Sequence, residues 1–185
     1  MLKAARTCFA RAGFHGASMQ QICAEAKMSP GALYRYFPSK DAIVEAIAEE
    51  ERVNAVECMA ALTGEGSIVD RITRVGMDYL SQTMDPDTGG LMVEICSESL
   101  RNTAVGHRFR ELEREMRTAF LDVLRRAQAA GEVDPALDLE VALTVMSAVG
   151  DGLVMRLQME PVDLDRIEPY LRRVVAGLLA PAAAR

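Results

Sequence analysis

The stretch Ser18–Lys40, SMQQICAEAKMSPGALYRYFPSK, decides the fold. It holds two helix starts in quick succession. Ser18 with Gln21 three residues on is a capping box, so a helix begins at Met19. Ile22 and Ala26 lie one turn apart and share its inner face. Ser29-Pro30 is the second start. Ser29 supplies an N-cap oxygen, and Pro30 stands at the first helical position, where its missing N–H costs nothing. This second helix runs from Pro30 to about Tyr36 with Leu33 and Phe37 as its buried stripe, and Pro38 ends it. Ser39 then caps a third helix whose first turn holds Lys40 and Asp41.

Two short helices joined by a turn of three or four residues fit a helix-turn-helix, whose second helix enters the DNA major groove. Any small helical bundle has such corners, so the residue types carry the weight. The reading helix exposes Ser29, Gly31, Tyr34, Arg35 and Tyr36, and Lys40 opens the next helix. Hydroxyls, an arginine and a lysine are what phosphate contacts need. Gly31 removes a side chain where backbone could approach DNA closely. The net charge of −6 alone argues against a nucleic-acid binder, but its distribution argues the other way. Residues 1–40 carry Lys3, Arg6, Arg11, Lys27, Arg35 and Lys40 against Glu25 alone, a net +5 that leaves −11 for the rest. A basic head on an acidic body is the footprint expected when only the head meets DNA.

Phe9, Gly13-Phe14, Ser18, Ile22, Ala26, Ser29, Gly31-Ala32, Tyr34, Tyr36-Phe37 and Lys40 resemble, in register, the N-terminal signature of the tetracycline-repressor (TetR) family. The resemblance covers about Leu2 to Val44. It implies a homodimeric bacterial transcription regulator whose DNA binding is controlled by a small molecule. It further implies DNA contacts, mostly to phosphates, from Ser18, Ser29, Gly31, Tyr34, Tyr36 and Lys40, with Pro30 and Ala32 on the same surface. Arg35 is the candidate for base reading, because arginine grips guanine O6 and N7 together. Two features depart from the family. The chain opens almost on its first helix, where relatives carry a basic arm. Lys27 also occupies the turn position that the family fills with glycine; if that position is left-handed, a side chain there costs about 1 kcal/mol.

The rest of the 185 residues reads as helix, giving an all-α chain of about nine helices. The expected division is a helix-turn-helix DNA-binding domain over 1–45 and an effector-binding and dimerisation domain over 46–185. Leu2–Ala12 forms the first helix with Leu2, Ala5, Phe9 and Ala12 inward, and Gly13 ends it. Ser39 to about Thr63 is one long helix with Ile43, Ile47, Val53 and Val56 inward and Glu49, Glu50 and Glu51 solvated, the natural lever between effector and head. Ser67–Met84 follows, then a turn over Pro86–Gly90 and helices over Leu91–Arg101 and Asn102–Ala130. The last of these carries Arg110–Glu113 and Glu113–Arg117 pairs on its solvated face.

Leu139–Gln158 is apolar nearly all round, and a helix of that kind is buried on more than one side. It pairs either with this chain's own core or with a second copy, and the resemblance favours the copy. Leu143, Met146, Val149 and Leu153, with Leu171, Val174 and Leu178 of the final helix, are the expected four-helix dimer interface. Asp151 within it is a polar interface group or a ligand contact. Met77, Met92, Cys96, Phe120 and Met146 are soft residues suited to an adaptable pocket for an apolar or amphipathic effector, and equally to ordinary core. Glu94 and Glu98 face either that chamber, favouring a cationic or hydrogen-bond-donating ligand, or solvent.

Four scattered cysteines without a CxxC pair, and only His15 and His107, support neither a metal site nor a disulfide framework. No cofactor is expected. HExxH, GxSxG, P-loop and dinucleotide fingerprints are absent, which argues against an enzyme. No secretory signal or membrane span stands out, so a cytoplasmic protein is expected. The rival to a DNA-binding regulator is a helical ligand-binding or scaffold protein whose head no longer binds DNA.

Overall fold

Both helix starts read from Ser18 and Ser29 are used. A computed structural model describes residues 1–101 and 103–181, and every side chain among them except that of residue 55. All regular structure among these residues is helical: α1 (Leu2–Gly16), α2 (Met19–Glu25), α3 (Pro30–Tyr36), α4 (Lys40–Ala61), α5 (Ile68–Thr83), α6 (Pro86–Ser99), α7 (Ala104–Ala129), α8 (Leu139–Met159) and α9 (Leu164–Leu179). The expected start of α7 at Asn102 lies outside the described residues.

The Ser18 hydroxyl accepts from the Gln21 N–H at 3.2 Å, and the Gln21 side chain accepts from the Ser18 N–H at 2.7 Å, completing the capping box. Ser29 Oγ accepts from the Ala32 N–H at 3.3 Å, with Pro30 next to it. Between these caps, α2 ends in a Schellman turn: Met28 N–H donates to Cys23 O at 3.0 Å and Lys27 N–H to Ala24 O at 3.1 Å. That geometry needs a left-handed residue at Lys27, whose φ is 52°, the only positive φ outside glycine among the described residues.

The helices gather into two compact units, Met1–Asn54 with Thr83–Glu113, and Ala55–Gln82 with Arg114–Arg185, so α4 and α7 contribute to both. In the first unit Phe9, Ile22 and Leu33 are fully buried, and the Phe14 ring lies 4.9 Å from Phe9 and 5.8 Å from Phe109. Each such side chain adds about 1.5–3 kcal/mol by leaving water. Phe37 is only half-buried, and Ala12 is exposed beside Gly13, whose φ of 72° breaks α1.

Three expectations for α4 and α6 are corrected. Pro86–Gly90 is the first turn of α6, not a loop: Asp85 accepts from the Thr88 N–H at 3.0 Å with proline at the first helical position, the Ser29-Pro30 device again. Gly90 lies in the helix because α1 comes close; a Cβ there would stand 3.1 Å from that of Ala10. On α4, Ile43, Val44, Ile47 and Ala48 are buried, whereas Val53 and Val56 are exposed. At 100° per residue, both valines fall opposite the buried stripe. The acidic run is not a plain solvated patch either. Arg6 pairs with Glu51 at 2.5 Å and Glu50 at 2.9 Å, Arg52 pairs with Glu49 at 2.6 Å, and Arg108 pairs with Glu45 at 3.1 Å.

The second unit is built on Leu62, Ile68, Ile72, Val75, Leu121, Leu124, Val133, Leu143, Val175 and Leu179. Glu132 holds the start of α5, accepting from the Ile68 N–H at 2.8 Å and pairing with Arg71 at 3.2 Å. Gln128 donates to the carbonyls of Asp134 and Leu137, closing the turn after Gly131 (φ 79°). Arg110 and Arg117, expected to pair along α7, donate to carbonyls: Arg110 to those of Ser99 and Arg101, Arg117 to that of Glu140.

Candidate nucleic-acid interface

The face of α3 opposite Leu33 is open. Counting 100° per residue, Arg35 points straight away from the Leu33–Phe37 stripe, with Gly31 and Ala32 on either side. Gly31 and Arg35 are exposed, and nothing lies within 4 Å of the place a Gly31 Cβ would take. Tyr34 and Tyr36, 50% and 63% exposed, flank this face. Pro30 is exposed and Ala32 half-buried. Ser18 and Ser29 use their oxygens as cap acceptors, which leaves both hydroxyl hydrogens free to donate outward.

The basic residues divide by their partners. Arg6 is turned inward. Burial lowers its pKa, but Glu51 and Glu50 outweigh that and hold it above its usual value. Arg11 pairs at 3.5 Å with Glu25, both exposed, a contact worth about 0–1 kcal/mol. Lys40 donates to the carbonyls of His15 at 3.4 Å and Ala17 at 3.0 Å, so its charge is oriented but not neutralised. Lys27 is exposed in the turn between α2 and α3.

α8 offers the other large open surface. Val141, Val145, Ala148, Gly152, Met155 and Met159 recur at steps of four and three, a heptad ridge, and all are exposed. Met159 reaches 71%. On α9, Tyr170 and Val174 are exposed, and Arg173 lies 6.0 Å over the Tyr170 ring. Of the residues expected in a dimer interface, only Val174 is exposed. Leu143 is buried in the chain's own core, Met146, Leu171 and Leu178 pack against that core, and Val149 and Leu153 are half-buried.

The expected effector residues do not gather in one unit. Met77, Phe120 and Met146 belong to the second unit, where Phe120 and Met146 pack on the core. Met77 lines a groove of about 460 Å³ with Asp70, Arg74, Asp78, Glu168 and Arg172. Met92 and Cys96 belong to the first, and Cys96 is exposed. Glu94 and Glu98 face neither a chamber nor solvent: they turn to the end of α1, where Glu94 accepts from the Phe14 N–H at 2.8 Å and Glu98 lies 3.2 Å from His15 Nε2. Among the described residues no three His, Cys, Asp or Glu side chains are placed to hold a metal, and no helix is long and apolar enough to cross a membrane.

The pattern of α2, turn and open α3 agrees with comparison to known proteins. Residues 1–47 match the model of bacterial regulatory proteins of the tetR family, and residues 69–180 match the C-terminal model of BetI-type transcriptional repressors. The chain belongs to the tetR family. It is a helix-turn-helix transcriptional regulator. The chain is similar to the transcriptional regulator UidR of Escherichia coli K12, at 28% identity over 97% of this chain and 91% of that protein. Among solved structures, Salmonella enterica GusR is 31% identical, with a TM-score of 0.79 over 96% of this chain and 92% of that one. FadR from Bacillus subtilis, solved in complex with stearoyl-CoA, shares the fold (TM-score 0.80, covering 95% and 96%) at 19% identity. Within this family frame, sequence reasoning missed the exposed α8 ridge and the partners of Glu94 and Glu98. The four-three spacing of the ridge was visible, but its orientation was not.

Proposed function

We propose that this tetR-family chain is a cytoplasmic repressor. It binds a near-palindromic operator as a homodimer and is released by an apolar or amphipathic small molecule. Residues 1–45 form the DNA-binding part and 46–185 the effector and pairing part. The open face of α3 carries the reading. Arg35 projects from its middle with Gly31 beside it, Tyr34 and Tyr36 flank it, and Ser18, Ser29 and Lys40 lie at neighbouring helix starts. Arg35 reads a base pair and the others hold phosphates, with Pro30 and Ala32 packing against the backbone. Two copies place their α3 helices in major grooves roughly 34 Å apart.

The pairing surface is the exposed ridge of α8 with Tyr170 and Val174 of α9. A solvent-facing heptad of valine, methionine and small residues in a helix with a full intramolecular core on its other side supports a second copy as its cover. Met77, Phe120 and Met146 supply the soft effector contacts of the second unit. Effector binding lowers operator affinity through a coupling of about 1–3 kcal/mol, or 5–150-fold.

The test is fluorescence anisotropy on duplex DNA flanking the gene, beside unrelated DNA, at two salt concentrations. Tight, salt-steep binding that prefers the flanking DNA is expected. Arg35→Ala then loses its preference at one base pair, whereas Tyr34→Phe and Lys40→Ala weaken binding to all sequences. Equal, salt-insensitive signals on both DNAs from an intact dimer would move the chain to a ligand-binding or scaffold role.

A further inference from the structure

One face of α6 carries Asp87, Leu91, Glu94 and Glu98 at steps of four, three and four, and it packs on α1 within the same unit. Asp87 accepts the Thr7 hydroxyl at 2.5 Å, Glu94 accepts the Phe14 N–H at 2.8 Å, and Glu98 Oε1 lies 3.2 Å from His15 Nε2. The two glutamates meet α1 where it breaks. Gly13 has φ 72° and ψ 166°, and a Cβ there would stand 2.9 Å from Glu94 Oε1. The backbone conformation requires glycine at Gly13, and a side chain there would also displace the Glu94 carboxylate.

Glu98 is fully buried, and its Oε2 has no hydrogen-bond partner, although Arg101 stands 3.6 Å away. Burial pushes its carboxyl up, but the Thr103 hydroxyl, His15 and Arg101 outweigh that and hold it below the usual carboxylate range. A buried carboxylate with one oxygen lacking a hydrogen bond is expensive, and an apolar side chain of that volume would pack there at less cost. Its use lies in what it fastens. Phe14 packs tilted against Phe9 and stacks on Phe109, the carbonyls of His15 and Ala17 seat Lys40, and Ser18 follows at once as the cap of α2. The segment held by α6 therefore carries both Ser18 and Lys40.

We propose that Glu98, with Glu94, is a positioning residue for DNA recognition: the two carboxylates fix the break in α1, and the break sets the reach of Ser18 and Lys40 to the phosphates. The inference rests on the DNA contacts assigned above. Glu98→Gln keeps size and an acceptor oxygen and removes the charge. In the full chain it should speed hydrogen exchange of the Phe14–Ala17 amides without changing those of Leu33 and Ile47. It should also weaken binding to a duplex selected from a random library by about tenfold. His15→Gln should do the same from the exposed side of the pair, serving also if Glu98→Gln fails to fold, while His15→Lys, which puts a permanent cation beside Glu98, should restore wild-type affinity. Unchanged affinity in Glu98→Gln and His15→Gln overturns the proposal, as does weaker binding with unchanged exchange at Phe14–Ala17. If the wild type selects no duplex, the DNA contacts themselves fall and the positioning role with them. The exchange arm, which needs no DNA, then separates a rigid α1–α6 seam from a loose one.

Discussion

Lys27 holds a backbone conformation that glycine would hold without steric cost. Lys27→Gly should therefore raise the unfolding free energy by about 1 kcal/mol, read by denaturant titration. Gly31→Ala separates folding from function more sharply. Nothing within 4 Å opposes the added methyl, and alanine in a helix gains about 0.5–1 kcal/mol over glycine. On the proposed DNA contacts the same methyl fills the gap through which backbone approaches DNA, so stability should rise while operator affinity falls. An equal or tighter complex would remove Gly31 from the interface. At this scale the caps were legible in the sequence, because Ser18 and Gln21 or Ser29 and Ala32 are three residues apart and need no tertiary knowledge. Glu98 was not legible, because His15 is 83 residues away and no local rule joins them.

Among the elements, α6 and α8 show how a helix start and a helix face differ in readability. Asp85-Pro86 carries the same start signal as Ser29-Pro30, but Gly89-Gly90 behind it looks like a turn; the closeness of α1, 3.1 Å from a Cβ at Gly90, explains the second of these glycines inside a helix. On α8 the length and apolar character were legible. Which stripe faces the chain's own core was not, since a helix apolar all round gives no phase. The two stripes predict opposite phenotypes. Val145→Glu, on the exposed ridge, should leave helicity and unfolding cooperativity intact and shift sedimentation from dimer to monomer. Leu143→Ala, in the core, should cost about 2–5 kcal/mol of stability whatever the assembly state. If Val145→Glu stays dimeric at micromolar concentration, the ridge is not the pairing surface.

For the molecule as a whole, charge was the least transparent property. The first 40 residues look almost uniformly basic, but Arg6 is consumed by Glu50 and Glu51 and Arg11 pairs with Glu25, so Lys3, Lys27, Arg35 and Lys40 are left to carry the field toward DNA. Acid should expose the buried carboxylate. Glu98 titrates below its ordinary 4.5 in the folded chain, so its stabilising contribution is present above that value and is lost as the pH falls through the folded one. His15 and Arg101 face it, Thr103 donates to it, and Glu94 lies one turn away. Wild-type stability should therefore fall more steeply than that of Glu98→Gln on acidification into this range, followed by thermal melting at successive pH values. Parallel curves would mean that Glu98 titrates alike in the folded and unfolded chains.

The uncovered ridge of α8 also bears on how the regulator is counted in a cell. On the proposed pairing, one chain alone leaves valines and methionines in water, and only the pair reads an operator. While chains are scarce, the number of competent readers grows as the square of the number of chains. Gene dosage then becomes an input in its own right: halving synthesis cuts operator occupancy about fourfold while the effector level stays fixed.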